Sequence, residues 1–138
     1  MGLRFGTAEW SKALEDEING SSEYRNAAAK WGVGFDGSML FAFEPDENLA
    51  EPLRLSIRVA AGRCEQARFL EAGDPAEAGF VLRGPFTVWR EILERKTLAV
   101  TAILKNRLRV EGDKMTLLRH ASANRALIHC TASIDTDW

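Results

Sequence analysis

Residues 53–60 read LRLSIRVA, in which leucine, isoleucine and valine alternate with arginine, serine and alanine. Successive side chains of a β-strand point to opposite faces, so this alternation predicts a strand with one face in the core and the other toward solvent. A similar alternation comes before it, where Met39, Phe41 and Phe43 predict a strand over residues 38–44. These two strands begin a predicted sheet.

Glycine, proline and aspartate divide the following residues into further strands. The turn signals are Ala61-Gly62, Gly73-Asp74-Pro75 and Gly112. Between them, apolar residues predict three more strands, over residues 64–70, 79–83 and 108–110. Because the first four strands follow one another through short connections, we expect them to form an antiparallel meander.

Helical spacing comes before the strands. Trp10, Leu14 and Ile18 recur every four residues, which predicts a helix with one apolar face. Thr7 is the expected N-cap of this helix, and Asn19-Gly20 is a stop signal. A second short helix, capped by Ser21 or Ser22, is predicted to reach Trp31.

Helical spacing returns after Gly84-Pro85. One helix carries Phe86, Trp89, Ile92 and Leu93, and a second carries Val100, Ile103 and Leu104. Asn106 is expected to end the second helix, because asparagine tolerates the left-handed backbone that often follows a helix. Asp113 is expected to cap a last helix, which carries Met115, Leu117 and Leu118 and continues past Leu127 and Ile128.

Strands in one block with helices on both sides predict a single α+β domain over residues 1–138. The C-terminal third is unusual, because three amphipathic segments compete for one face of a small sheet. About two helices cover such a face at a spacing of roughly 10 Å. The remaining apolar surface must pack on itself, form a dimer or line a cavity.

The composition excludes several classes of function. The chain has 18 basic and 20 acidic side chains and a net charge of −2, so we expect no binding of nucleic acid and a poor match to an anionic membrane surface. No apolar run approaches the roughly 20 residues that span a bilayer, so stable membrane insertion is not expected. The first residues lack an apolar signal segment, so we expect a cytoplasmic protein with reduced Cys64 and Cys130.

No catalytic motif stands in a suitable context. Residues 32–37 read GVGFDG and match G-x-G-x-x-G, but a helix precedes them and a strand follows, the reverse of a dinucleotide-binding unit. His120 and His129 face opposite sides of the predicted last helix, and Cys130 diverges from His129 by about 100°. We therefore expect no enzyme, no metal site and no cofactor. If the chain were an enzyme acting on an acyl or steroid substrate, Cys130 and the two histidines would be the candidates to test.

Three segments resemble the sterol carrier protein type 2 (SCP-2) family, in the form of its stand-alone bacterial members. They are residues 9–14, EWSKAL; residues 89–96, WREILERK; and residues 105–113, KNRLRVEGD. The resemblance covers nearly the whole chain. One departure is Asn106, where the family usually has glycine, and both residues suit the same backbone conformation.

The resemblance implies a five-stranded, mostly antiparallel sheet covered by about five helices, with an apolar tunnel for a fatty acid, fatty acyl-CoA or sterol-like lipid. The residues expected to line the tunnel are Phe86, Trp89, Ile92, Leu93, Ile103, Leu104, Met115 and Leu118. Arg107 and Arg109 either meet an anionic head group at the tunnel mouth or are solvated charges of a strand edge. The alternative function is a protein-interaction or oligomerisation module, with a possible homodimer, that uses exposed apolar helix faces.

Overall fold

The computed structural model describes residues 2–138. In these residues the elements follow the order β1 Leu3–Arg4, α1 Ala8–Gly20, α2 Ser22–Ala27, β2 Met39–Glu44, β3 Leu53–Ala60, β4 Arg63–Phe69, β5 Phe80–Pro85, α3 Phe86–Leu93, α4 Ala99–Leu104, β6 Arg109–Glu111, α5 Lys114–Arg119, α6 Ala121–Ala132 and β7 Thr136–Asp137.

The main sheet has five strands in the order β4-β3-β2-β5-β6. Three neighbouring pairs are antiparallel, and β2 and β5 are parallel, with Met39 opposite Phe80. The predicted α+β fold with a five-stranded, mostly antiparallel sheet is therefore confirmed. The meander prediction is wrong for β5, which returns to the far side of β2 instead of pairing with β4. The connection over residues 70–79 is too long for a tight hairpin, and Arg54 holds it by donating to the backbone oxygens of Glu71 and Asp74.

The central position of β2 explains its burial. Met39, Leu40, Phe41, Ala42 and Phe43 are all buried, although alternate residues point to opposite faces. On β3, by contrast, only Leu55, Ile57 and Val59 are buried, and Arg58 is exposed. On β3, one face therefore lies in the core, as the alternation of residues 53–60 predicted.

The N-terminal helices follow their capping residues. Trp10, Leu14 and Ile18 have no exposed surface, and the Thr7 hydroxyl accepts a hydrogen bond from the Trp10 backbone N–H at 3.3 Å. Ser21 caps α2 by accepting from the Tyr24 backbone N–H at 3.0 Å. However, α2 ends at Ala27 rather than reaching Trp31. Trp31 instead lies in a turn, where its indole N–H donates to the Gly37 carbonyl at 2.9 Å.

The C-terminal segment contains one more helix than predicted. As expected, Asn106 follows α4 with a left-handed backbone, at φ 59°. The single helix predicted after Asp113 is divided at His120, whose backbone (φ −103°, ψ 33°) leaves the helical range. The amide of Asn124 donates to the Leu117 carbonyl across this break. Two shorter helices bury Leu117 and Leu127 against the core, which explains the bend.

Candidate functional site

A cavity of about 200 Å³ lies between the buried face of the sheet and the helices that follow it. The sheet contributes Met39 and Phe41 from β2 and Leu82 from β5. Helices α3 to α6 and the loop before α4 form the other walls, with side chains that include Ile92, Val100, Ile103, Leu117, Leu118, Leu127 and Ile128. Two alanines, Ala99 and Ala121, also line it. The cavity is therefore mainly apolar, as pockets for apolar ligands are.

Trp89 forms a fixed part of the cavity wall. Its ring stacks against Phe41 with the centroids 4.6 Å apart, and its indole N–H donates to the Ala42 carbonyl at 3.0 Å. A buried indole whose donor is satisfied has little freedom to rotate. This corner of the cavity is therefore preformed.

The polar residues of the lining lie where the cavity meets solvent. They are Arg95, Thr97, Asn124, Arg125 and His129. Arg95 and Arg125 are exposed and the other three are half-buried, whereas the apolar liners Met39, Phe41 and Ile92 are buried. Two guanidinium groups at the rim suit an anionic head group, because guanidinium forms charge-assisted hydrogen bonds with carboxylates and phosphates.

Local structure constrains the backbone of Arg95 and the side chain of His129. Arg95 follows α3 with a left-handed backbone, at φ 63°, a conformation that costs a non-glycine residue energy. The His129 Nδ1 atom lies 3.1 Å from the Glu23 carboxylate, which joins α6 to α2 beside the cavity.

Four of the eight residues predicted to line a tunnel do line this cavity: Trp89, Ile92, Ile103 and Leu118. The other four lie elsewhere. Phe86 packs in an aromatic cluster with Phe5 and Trp138, and Leu93 borders a second, more polar groove near the C-terminus. Leu104 and Met115 are 63% and 64% exposed. The helical spacing that grouped these residues does not separate a side facing the cavity from a side facing solvent.

Arg107 and Arg109 are engaged with carboxylates outside the cavity. Arg107 donates to Glu91 at 2.6 Å, and Arg109 pairs with Glu44. The rim arginines are instead Arg95, just after α3, and Arg125, within α6. They carry no distinguishing sequence signal, because isolated arginines are usually solvated. The sheet residues Met39 and Phe41 were visible as an alternation, but only the tertiary packing assigns them to a cavity.

Neither cysteine is an activated thiol, and the two histidines have different partners. Burial raises the pKa of the Cys64 thiol to about 12 and also raises the pKa of Cys130, so both are protonated thiols at neutral pH and poor nucleophiles. His120 packs edge-on against Trp31, away from His129 and its partner Glu23. Within residues 2–138, no group of three or more histidine, cysteine or acidic residues could hold a metal ion.

The described part of the chain contains no helix that is both long and apolar enough to cross a membrane.

Comparison with protein families gives a match between residues 41–123 and the model of the SCP-2 sterol transfer family. The chain belongs to this family. The matched region runs from β2 to the start of α6 and so contains the sheet and most of the cavity walls.

Solved structures of SCP-2 proteins share the fold. A crystal structure of sterol carrier protein 2 is 25% identical in sequence, with a TM-score of 0.82 over 94% of this chain and 98% of that one. A solution structure from Thermus thermophilus, described as possibly a sterol carrier protein, is also 25% identical, with a TM-score of 0.84 over 99% and 95%. The apo sterol carrier protein 2 of Yarrowia lipolytica is 11% identical, with a TM-score of 0.58 over 92% and 91%, and shows the fold alone. A search of curated proteins gives no significant match.

Proposed function

We propose that this SCP-2 chain binds and carries an anionic lipid with one flexible alkyl chain, such as a fatty acid or fatty acyl-CoA, without catalysis. The observation that carries the proposal is the apolar cavity between the sheet and α3–α6, with Arg95 and Arg125 at its rim. Membership of the SCP-2 sterol transfer family supports lipid binding or transfer as the general role.

The size of the cavity favours a flexible chain over a rigid ring system. At about 200 Å³, it is smaller than the roughly 300–1,000 Å³ of pockets that enclose drug-sized molecules. A cavity of about 150 Å³ holds benzene, so about 200 Å³ accommodates roughly eight carbon atoms. An alkyl chain can insert this many methylenes and leave the remainder outside, whereas a fused ring system enters whole or not at all.

The energetics favour an anionic head group over a purely apolar ligand. Burial of about eight methylenes contributes about 6 kcal/mol at about 0.8 kcal/mol each. Association costs at least about 4 kcal/mol, so apolar contacts alone leave about 2 kcal/mol, which is weak binding. Two charge-assisted hydrogen bonds at about 2 kcal/mol each bring the total to about 6 kcal/mol, or tens of micromolar. The rim arginines would supply these bonds.

The absence of catalysis is part of the proposal. The raised pKa values of Cys64 and Cys130 and the separation of His120 from His129 support it, because no activated nucleophile faces the cavity. The alternative function, an interaction or oligomerisation module, has less support, because the family match favours lipid binding or transfer.

The first test is titration of the protein with a fluorescent fatty acid, followed by displacement with palmitate, hexadecanol or cholesterol. We expect displacement by palmitate at the lowest concentration, and a Leu118→Trp substitution, which fills the cavity, to abolish binding. Val33→Trp is the control, because Val33 is an exposed apolar residue outside the cavity lining. Displacement by cholesterol as effective as that by palmitate would contradict an anionic, single-chain ligand.

The second test addresses the rim. Arg95→Gly removes a guanidinium and should weaken palmitate binding about tenfold or more, the value of a charge-assisted hydrogen bond, without weakening hexadecanol binding. Asn106→Gly is the matched control, because Asn106 has the same left-handed backbone but does not line the cavity. Equal losses for palmitate and hexadecanol would indicate a disturbed cavity instead of a head-group contact.

A further inference from the structure

The charge of this chain is unevenly distributed. Residues 95–119 contain seven basic and two acidic side chains, a net charge of +5, although the whole chain carries −2. The remaining residues therefore carry −7, with 11 basic and 18 acidic side chains. The whole-chain balance, which argued against an anionic membrane surface, averages over two regions of opposite sign.

Exposed apolar side chains concentrate in the same segment. Of the five large apolar residues that are exposed in the described part of the chain, three are Leu98, Leu104 and Met115, at 52%, 63% and 64%. Each has a basic residue close by in the sequence: Lys96, Lys105 and Lys114 respectively. Apolar side chains flanked by lysines are typical of surfaces that insert into a membrane interface, because the apolar group enters the acyl boundary and the ammonium reaches the phosphates.

These three side chains lie on the segments that form one wall of the cavity: the loop before α4, α4 and α5. Leu98 itself lines the cavity. Leu104 is one helical turn from the cavity residue Val100 on α4, and Met115 is one turn from Leu118 on α5. The exposed apolar residues thus continue the apolar lining of the cavity onto the surface.

Lys96 pairs with Glu94 at 3.5 Å, but three other basic side chains beside the exposed apolar residues have no acidic partner in the described part of the chain. Among residues 2–138, neither Lys105 nor Lys114 takes part in an ion pair, and the same is true of Arg95. Asp113, the acidic residue next to Lys114, is occupied as the N-cap of α5, where it accepts from Met115 and Thr116. Each Lys or Arg near an anionic lipid surface adds a similar amount of favourable binding free energy, so several together produce measurable binding.

We propose that Leu98, Leu104 and Met115, together with Arg95, Lys105 and Lys114, form a docking face that binds the surface of an anionic lipid bilayer. Docking places the cavity opening against the bilayer, so that an alkyl chain passes between the two without crossing water. The inference rests on the proposed function for its purpose, but vesicle binding and fatty-acid binding are measured separately.

The test is flotation of the full chain with vesicles of phosphatidylcholine alone or mixed with phosphatidylglycerol. We expect binding to the mixed vesicles that weakens as salt is raised, and little binding to phosphatidylcholine. The double variant Lys105→Glu/Lys114→Glu should lose roughly 30-fold or more in vesicle affinity, at about tenfold per 1.4 kcal/mol and about 1 kcal/mol per charge removed. Its control is Lys30→Glu/Arg63→Glu, which makes the same charge change at exposed residues outside the docking face.

The apolar part of the face has its own variants. Leu104→Glu/Met115→Glu should abolish vesicle binding, whereas Leu3→Glu/Val33→Glu, at exposed apolar residues elsewhere, should weaken it far less. All four residues are exposed, so circular dichroism should show that each variant folds. Equal losses in test and control variants would overturn the proposal, as would equal binding to both vesicle types. A concentration-dependent dimer that only Leu104→Glu/Met115→Glu disrupts, without vesicle binding, would overturn it by assigning the face to self-association.

Fatty-acid titration of the same variants separates the two proposals. Variants that lose vesicles but still bind the fluorescent fatty acid support both. If the wild-type chain binds vesicles but no fatty acid, the proposed ligand is wrong and the docking face stands.

Discussion

Around Phe5 the core is filled by aromatic rings, whereas between β2 and helices α4–α6 it is lined largely by aliphatic side chains and alanines around a cavity. Phe5 meets Trp10, Phe43 and Phe69 edge-to-face, with ring centroids 4.9, 5.2 and 5.3 Å apart. Large rings in this arrangement fill space efficiently. Ala99 and Ala121, in contrast, leave the volume that a larger side chain would occupy. The choice of residue size therefore separates a part of the core that supplies stability from a part that can accept a ligand.

Truncation of one leucine in each part of the core should give the largest difference in unfolding free energy. Leu14 has no exposed surface and packs near the aromatic end, so Leu14→Ala should lower the free energy of unfolding by about 2–5 kcal/mol. Leu118 is half-buried and already borders the cavity, so Leu118→Ala should cost less than about 2 kcal/mol. Urea unfolding followed by tryptophan fluorescence measures both. Equal losses would show that the helices close over the cavity in solution.

Alanine-to-leucine substitutions test the same comparison, with smaller expected changes in unfolding free energy. Ala28 has no exposed surface, so Ala28→Leu should overpack the core and cost about 1–3 kcal/mol. Ala99→Leu should instead extend into the cavity, with a change within about 1 kcal/mol of zero, while fatty-acid binding falls. Thermal unfolding and the fluorescent fatty-acid titration together distinguish the outcomes. A strongly destabilised Ala99→Leu variant would contradict an open cavity at this position.

Removal of a helix cap should have the smallest effect on stability. The caps of α1 (Thr7) and α5 (Asp113) differ in how their contribution depends on pH. Hydrogen bonds from the Thr116 hydroxyl and backbone N–H lower the pKa of Asp113 below its usual 3.8 in the folded chain. Its contribution to stability is therefore present above pH 3.8 and is lost as the pH falls through the lowered folded-state pKa. Thr7, which caps α1, does not titrate.

The two caps can be compared by thermal unfolding of Asp113→Ala and Thr7→Ala against the wild type over a pH series. The difference for Asp113→Ala should shrink at acid pH, whereas the difference for Thr7→Ala should keep its size. A pH-independent difference for Asp113→Ala would mean that the carboxylate charge contributes nothing to this cap.

Features set by neighbouring residues were predicted correctly, whereas features set by distant contacts were not. The helix ends were predicted correctly at Thr7, Ser21, Asn106 and Asp113, because a cap depends on a few neighbouring residues. The single C-terminal helix was wrong, since His120 has no local signal that ends a helix and the bend is set by contacts of Leu117 and Leu127 with the core. The meander was wrong for a similar reason, because the partner of β5 lies far away in the sequence.

The candidate site was only partly predictable. Trp89, Ile92, Ile103 and Leu118 line the cavity, and the spacing of apolar residues together with the family resemblance was sufficient to name them. Leu104 and Met115 share that spacing but lie at the surface. Arg95 and Arg125 were not found, because a solvated arginine and one at a cavity rim look the same in a sequence.

The amino-acid sequence by itself determined the five strands of the main sheet, most of the helices, several caps, the α+β class and the family resemblance, because all of these follow from local periodicity and short motifs. It also carries the charge asymmetry of residues 95–119, which is a matter of counting. Only the tertiary structure decided that β5 is parallel to β2, that a cavity remains beneath α4–α6, and that Leu98, Leu104 and Met115 are exposed on the segments beside it. The physical reason is that a void and its rim are properties of how distant elements pack, and no single segment specifies the space that it leaves empty.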